Sequence, residues 1–172
     1  MMTTDEKKRF ITDELYHELR CLLGSATIWK IFSDAERGYE VIVAEDSVFL
    51  HARILLEFFT AKGKNTNTLR ITEFGPSKYT SQLYSKWKVP LNRHSLHLNA
   101  QRLRPNNVRA EEHLNEQVLN LAHEVLGLWV KFEGDAKSAD FHEELKAARM
   151  RAIADAINDT NGRIEPIFKA EV

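Results

Sequence analysis

Two histidines and three arginines lie within residues 91–104, LNRHSLHLNAQRLR, a stretch without an acidic residue. At about 100° per helical residue, Arg93, His97 and Arg104 fall on one face of a helix. Arginine binds phosphate oxygens through charged hydrogen bonds, and histidine exchanges protons near neutral pH. This stripe therefore suits a phosphate site, or proton transfer beside a phosphate. The alternative is an exposed basic face that pairs with acidic residues of a neighbouring helix.

Nearby residues extend or support this predicted site. Asn92 falls on the apolar face of the same helix, where a buried amide needs a hydrogen-bond partner. Arg53 and Glu57 lie four residues apart among apolar residues. One interpretation is an ordinary helix ion pair worth roughly a few tenths of a kcal/mol. The other is that Glu57 orients the Arg53 side chain toward the predicted site. The remaining predicted phosphate-binding residues are Arg102, His94, Lys86 and Lys88, together with Arg104.

Charge is distributed unevenly along the 172 residues, although the net charge is only −1. No acidic residue lies between Glu73 and Glu111, and this window carries a charge of +7 while the rest of the chain carries −8. Such a block indicates a local anionic partner, for which RNA is the candidate. It is equally compatible with pairing to the acidic helices of the protein itself.

The composition indicates one soluble domain over residues 1–172. The chain has only 7 Gly and 4 Pro, too few for many tight turns, which favours an all-α fold. Its one cysteine, Cys21, cannot form a disulfide within the chain, which suits the cytoplasm. The sequence shows neither a signal peptide nor an apolar run long enough to cross a membrane. No metal and no cofactor are predicted, because Glu14-x-x-His17 has no second copy and arginines surround His94 and His97.

Apolar spacing predicts a bundle of about five main helices. Ser33 or Asp34 is the expected N-cap of the second helix, and Pro90 suits the first turn of the third. Asn161-Gly162 is the expected left-handed cap after the last helix. The predicted helices cover 5–23 (extended by TIWKIF), 35–61, 90–104, 108–134 and 139–158.

One long irregular loop is predicted near residues 62–80, and its LRITEF motif reads as a short strand or an extended loop. Tyr79, Tyr84 and Trp87 follow, interleaved with lysines. Aromatic residues among basic ones can stack on the bases of a single strand. They can equally anchor the loop on the bundle.

The helical hairpin with the helix start NRHSLH at 92–97 resembles the HEPN superfamily. The resemblance covers roughly residues 35–135. It implies an all-α domain, often a homodimer, of the kind found in toxin–antitoxin and phage-defence systems, whose active members are metal-independent ribonucleases. The family signature has a longer gap between arginine and histidine than the three residues that separate Arg93 from His97. By the resemblance, His97 and Arg93 are the catalytic residues, and Arg93 holds the scissile phosphate with Arg104.

Two functions therefore remain open at the level of sequence, with a metal-dependent bundle enzyme as a weaker third. The first is an RNA-directed HEPN-like protein, with an antitoxin-like protein and a second copy of the chain as candidate partners. The second is a non-catalytic helical interaction module, whose basic block binds an acidic protein or another copy of the chain. Whether the protein is an enzyme stays open between these two.

Overall fold

The computed structural model describes residues 2–36, 38–61, 69–96 and 115–163, with the backbone alone at 92–96, 115 and 136. These residues form an all-α bundle that contains no strand, as predicted. The helices are α1 (Thr4–Phe10), α2 (Tyr16–Asp34), α3 (Gly38–Thr60), α4 (Gln82–Leu96), α5 (Val118–Glu133) and α6 (His142–Asp159).

The first two helices form one continuous helical segment, because a π-helical turn at Ile11–Leu15 joins α1 to α2. Thr3 caps α1 with a capping box, in which Glu6 bonds back to the Thr3 backbone. The predicted second helix corresponds to α3. The prediction that Ser33 or Asp34 is its N-cap is wrong, since both residues still belong to α2. The chain turns after them, where Glu36 adopts a positive φ of 55°.

The third predicted helix begins earlier than expected, at Gln82, and Pro90 lies in its interior. The prediction that Pro90 occupies the first turn is therefore wrong. Proline has no N–H to donate to the carbonyl of Lys86, four residues earlier. The helix continues across this gap, and its burial in the core holds it there: Trp87, three residues before Pro90, and Leu91, directly after it, are both buried.

The described end of the predicted loop contains a 3-10 turn at Ile71–Phe74, so LRITEF forms neither a strand nor a fully extended segment. Ile71 and Phe74 are buried, and the Phe74 ring packs against Phe132 of α5 at a centroid distance of 5.9 Å. The turn thus contributes directly to the core. Residues 62–68 of the predicted loop lie outside the described residues.

The core lies among α2, α3, α5 and α6, and the predicted apolar stripes of α3 and α5 supply much of it. Trp129 of α5 is fully buried, and its indole N–H donates to the Leu145 carbonyl of α6 at 3.1 Å. The last helix ends as predicted, with Asn161 and Gly162 both at positive φ. Within the described ranges, no helix is long and apolar enough to cross a membrane.

Candidate nucleic-acid interface

The first turn of α4 is fixed by the side chain of Ser81, whose hydroxyl accepts a hydrogen bond from the Tyr84 amide at 2.9 Å. A serine immediately before a helix satisfies one of its unpaired N–H groups in this way. Tyr84, Trp87 and Leu91 follow at intervals of three and four residues, and all three are buried. They pack α4 mainly against α3, so the opposite face of α4 is turned outward.

Lys86 and Lys88 of α4 are both exposed, and because they are two residues apart they lie on opposite flanks of the exposed surface of the helix. The Lys86 ammonium is 5.1 Å from the centroid of the Trp87 ring, and the Lys88 ammonium is 5.8 Å from that of Tyr84. Both contacts are within the range of cation–π attraction. The two lysines thus occupy positions in which a phosphate could reach their charges from solvent.

The aromatic residues of this region are anchors of the fold rather than a stacking surface. Tyr79, Tyr84 and Trp87 are each less than a tenth exposed. Tyr79 stacks on Phe59 at 6.3 Å, and its hydroxyl donates to Asp135 at 3.1 Å. Of the two interpretations of the interleaved aromatic residues, the structure therefore supports loop anchoring.

An open groove of about 750 Å³ runs between α4 and α5. Lys86 and Gln82 line it from α4, and Asn120 and His123 line it from α5. A carboxylate, Glu124, lies on the α5 side, so the groove is positive only along α4. The groove therefore offers one lysine on its α4 side and polar groups of α5 on the other side.

Most of the predicted catalytic and phosphate-binding residues fall where the structure gives no side-chain geometry. Asn92, Arg93 and His94 belong to α4, for which only the backbone is described at these positions. Arg93 follows Lys86 by seven residues in this helix, a spacing that returns to nearly the same helical phase. His97, Arg102 and Arg104 lie outside the described residues.

The predicted supporting pair is present as an ion pair within α3. The Arg53 guanidinium lies 3.6 Å from the Glu57 carboxylate, and the Arg53 side chain is largely buried. Burial raises the pKa of Tyr84 to about 12, and the charge of nearby Glu57 acts in the same direction. The pair therefore lies beside the buried face of α4, where it can support that helix.

A second polar cluster joins α2 to α3, and sequence reasoning missed it. His51 Nδ1 lies 2.7 Å from a carboxylate oxygen of Glu18, with both side chains mostly buried. The ring of His17 meets that of His51 edge-on at 6.4 Å, and its Nε2 lies 3.6 Å from Cys21 Sγ. Burial and the charge of Glu18 raise the pKa of the Cys21 thiol, which keeps the thiol protonated and a poor nucleophile.

A pocket of about 330 Å³ adjoins this cluster. Glu14, Glu18 and Glu57 contribute carboxylates to its wall, while Phe58 and Ile54 contribute apolar surface. Among the residues that the structure describes, no three His, Cys, Asp or Glu side chains are arranged to hold a metal ion. The pocket is thus an amphipathic cleft beside a histidine–carboxylate pair.

Comparisons of the chain with family models, with curated proteins and with solved structures give no match. The HEPN resemblance therefore rests on the sequence alone and stays a prediction.

Proposed function

We propose that this protein is an RNA-directed domain of the HEPN type, in which α4 carries the phosphate-contacting surface. The observation that supports this proposal is the orientation of α4. Its aromatic face is buried, and Lys86 and Lys88 are exposed within the acid-free part of the sequence. Contacts to phosphates do not depend on base sequence, so exposed cations of a helix can contribute to the binding of any strand.

In this proposal, the segment at 78–88, with Lys86 and Lys88, guides the strand toward Arg93 and His97. Arg93 and Arg104 hold the scissile phosphate, and His97 transfers the proton, without a metal ion. Arg102 and His94 add further phosphate contacts. The proposed setting is the cytoplasm, with a homodimer as the working unit and an antitoxin-like protein as a partner.

The test is binding and cleavage of a fluorescein-labelled single-stranded RNA by wild type and four variants. Arg93→Ala and Arg104→Ala are each expected to weaken binding, because each removes a phosphate contact. His97→Ala is expected to preserve binding and abolish cleavage, since a neutral imidazole contributes proton transfer more than charge. Asn92→Ala is expected to lower stability instead, through loss of a buried hydrogen bond.

Three outcomes separate the candidate functions. Binding with cleavage that depends on His97 supports the HEPN-type ribonuclease. Binding without cleavage supports an RNA-binding domain that has no catalytic role. If the wild-type protein neither binds nor cleaves RNA at low salt, the proposal fails, and the basic block is better explained as a surface for an acidic protein partner.

A further inference from the structure

The N-terminal part of α3 exposes apolar side chains to solvent, whereas most apolar side chains later in the helix are buried. Tyr39 is 77% exposed, Ile42 59% and Val43 51%. Further along the same helix, Val48 and Ala52 are fully buried. The first two turns of α3 therefore present an apolar surface to solvent, which is unfavourable unless another segment covers it.

This surface borders two neighbouring pockets that share Ile28 and Phe32 of α2. The first, of about 270 Å³, lies between the end of α2 and the start of α3 and is also lined by Tyr39 and Val43. The second, of about 340 Å³, lies between α2 and the end of α6 and reaches Arg163. Ile28 and Phe32 line both pockets, so the two pockets are adjacent, and we call them together the α2–α3 groove; its α3 end is mainly apolar, and polar residues border its α6 end.

The end of α6 delivers the chain to this groove. Arg20 of α2 binds the carboxylate of Asp159 with two hydrogen bonds of 2.8 and 2.9 Å. The following turn is closed by a hydrogen bond from the Gly162 amide to the Ile157 carbonyl at 2.8 Å. The hydroxyl of Thr160 also donates to the carbonyl of Arg163. The end of α6 and the turn that follows it, up to Arg163, are therefore held beside α2.

The nine residues after Arg163 have the composition of a segment that fills an apolar groove. Their sequence, IEPIFKAEV, places Ile164, Ile167 and Phe168 around Pro166. Proline lowers the conformational entropy that a segment loses on binding. Five residues span up to about 17 Å when extended, which sets the greatest distance from Arg163 at which Phe168 can contact the groove.

We propose that residues 164–172 bind in the α2–α3 groove of their own chain, with Ile167 and Phe168 as the apolar anchors. Attachment at Arg163 gives the segment a high effective concentration at the groove, so few contacts suffice. Such a segment covers Tyr39, Ile42 and Val43. It also makes this face an interaction surface that another apolar peptide can occupy only by displacing it.

The first test is a thermal double-mutant cycle between the segment and the groove. Removal of residues 164–172 is expected to lower Tm by about 2 to 4 °C, the shift that roughly one kcal/mol gives in a protein of this size. The substitution Val43→Glu in the full chain is expected to lower Tm by a similar amount. Val43→Glu is expected to have little effect once the segment is removed. Val89→Glu is the matched control, because Val89 is also in a helix and 57% exposed. Equal effects of Val43→Glu with and without the segment would overturn the proposal.

The second test identifies the chain that supplies the segment. In a Cys21→Ser background, the substitutions Val43→Cys and Phe168→Cys are combined, and Val89→Cys with Phe168→Cys is the control. A disulfide within one chain that forms in the first pair and not in the control supports the proposal. A disulfide-linked dimer would show that a second copy occupies the groove, and the absence of any disulfide would show that the segment does not bind there. Either of these two results overturns the proposal.

Discussion

At the scale of single residues, the buried ion pair between Glu133 and Arg149 is the most informative case. The Arg149 guanidinium donates to the two carboxylate oxygens of Glu133 at 2.8 and 3.3 Å. Both side chains are about a tenth exposed, so the pair links α5 to α6 with little solvent screening. Removal of one partner of such a pair costs far more than removal of both.

We therefore expect Glu133→Ala to lower the free energy of unfolding by about 3 kcal/mol. The double variant Glu133→Leu with Arg149→Met is expected to recover most of that loss, because it leaves no buried charge. Urea unfolding at neutral pH measures both. Asp34→Ala serves as the control, since its pair with Lys30 is exposed and worth about 0.3 to 0.5 kcal/mol. A loss at Glu133 no larger than that of the control would contradict the burial of this pair.

Glu45 of α3 makes the stability depend on pH in a predictable direction. Burial raises the pKa of its carboxyl above the ordinary value, and the charge of Asp46 acts in the same direction. The folded state thus favours the protonated form, and stability falls as the pH rises through that raised pKa. We expect Glu45→Gln to melt a few degrees above wild type at pH 7 and at nearly the same temperature at about pH 3.5. Thermal melts at the two pH values check this, and an equal difference at both would refute it.

At the scale of elements, the 3-10 turn at Ile71–Phe74 depends on the backbone of Gly75. Gly75 has a φ of 108°, and a Cβ at this position would lie 2.2 Å from the carbonyl oxygen of Lys137. Gly75→Ala is therefore expected to lower stability by about 2 kcal/mol or more. Gly127→Ala is the matched control, because nothing lies near its added Cβ in the middle of α5.

The control substitution Gly127→Ala is expected to raise the free energy of unfolding by roughly 0.5 to 1 kcal/mol, since alanine is a better helix former than glycine. Chemical denaturation of the two variants side by side gives the comparison. Equal effects at the two glycines would show that the close approach of Gly75 to Lys137 does not exist in solution.

The sequence was sufficient to predict the helices with strong apolar periodicity and insufficient where tertiary packing overrides a local signal. From Val48 of α3 onward and along α5, the apolar spacing predicted the buried faces, because period and burial coincide there, whereas Ile42, which the same spacing includes, is exposed. Pro90 misled the prediction, since proline usually marks a first turn, yet Tyr84 and Trp87 continue the apolar pattern before it. The predicted N-cap at Ser33 is also wrong, because this residue, although a good capping residue, lies inside α2.

In the candidate sites, too, contacts between residues close in sequence were predictable and contacts between distant residues were not. The Arg53–Glu57 pair was predictable because its partners are one helical turn apart. The Glu18–His51 pair joins residues 33 positions apart, and no spacing rule connects them. Only the packing of α2 on α3 brings these side chains together, so this pair required the structure.

At the scale of the whole molecule, one continuous core joins the described helices, which predicts a single unfolding transition. Trp29, Trp87 and Trp129 report on α2, α4 and α5, and the last two lie within the same buried cluster. We expect tryptophan fluorescence and far-UV circular dichroism to give coincident urea transitions. Separate transitions would show that α4 and its basic surface form an independent unit.

The central claim is that the exposed face of α4 binds the phosphates of RNA, and the salt dependence of binding tests it most directly. The affinity for a labelled single-stranded RNA is measured at several salt concentrations for wild type, for Lys86→Ala with Lys88→Ala, and for Lys146→Ala, an exposed lysine on α6. We predict that log affinity falls linearly with log salt concentration. The slope is expected to be shallower by about 1.4 in the double variant, because each lost phosphate contact reduces it by about 0.7. The slope of the control variant is expected to equal that of wild type. A wild-type protein that fails to bind RNA at low salt, or a slope that does not depend on Lys86 and Lys88, would contradict the claim.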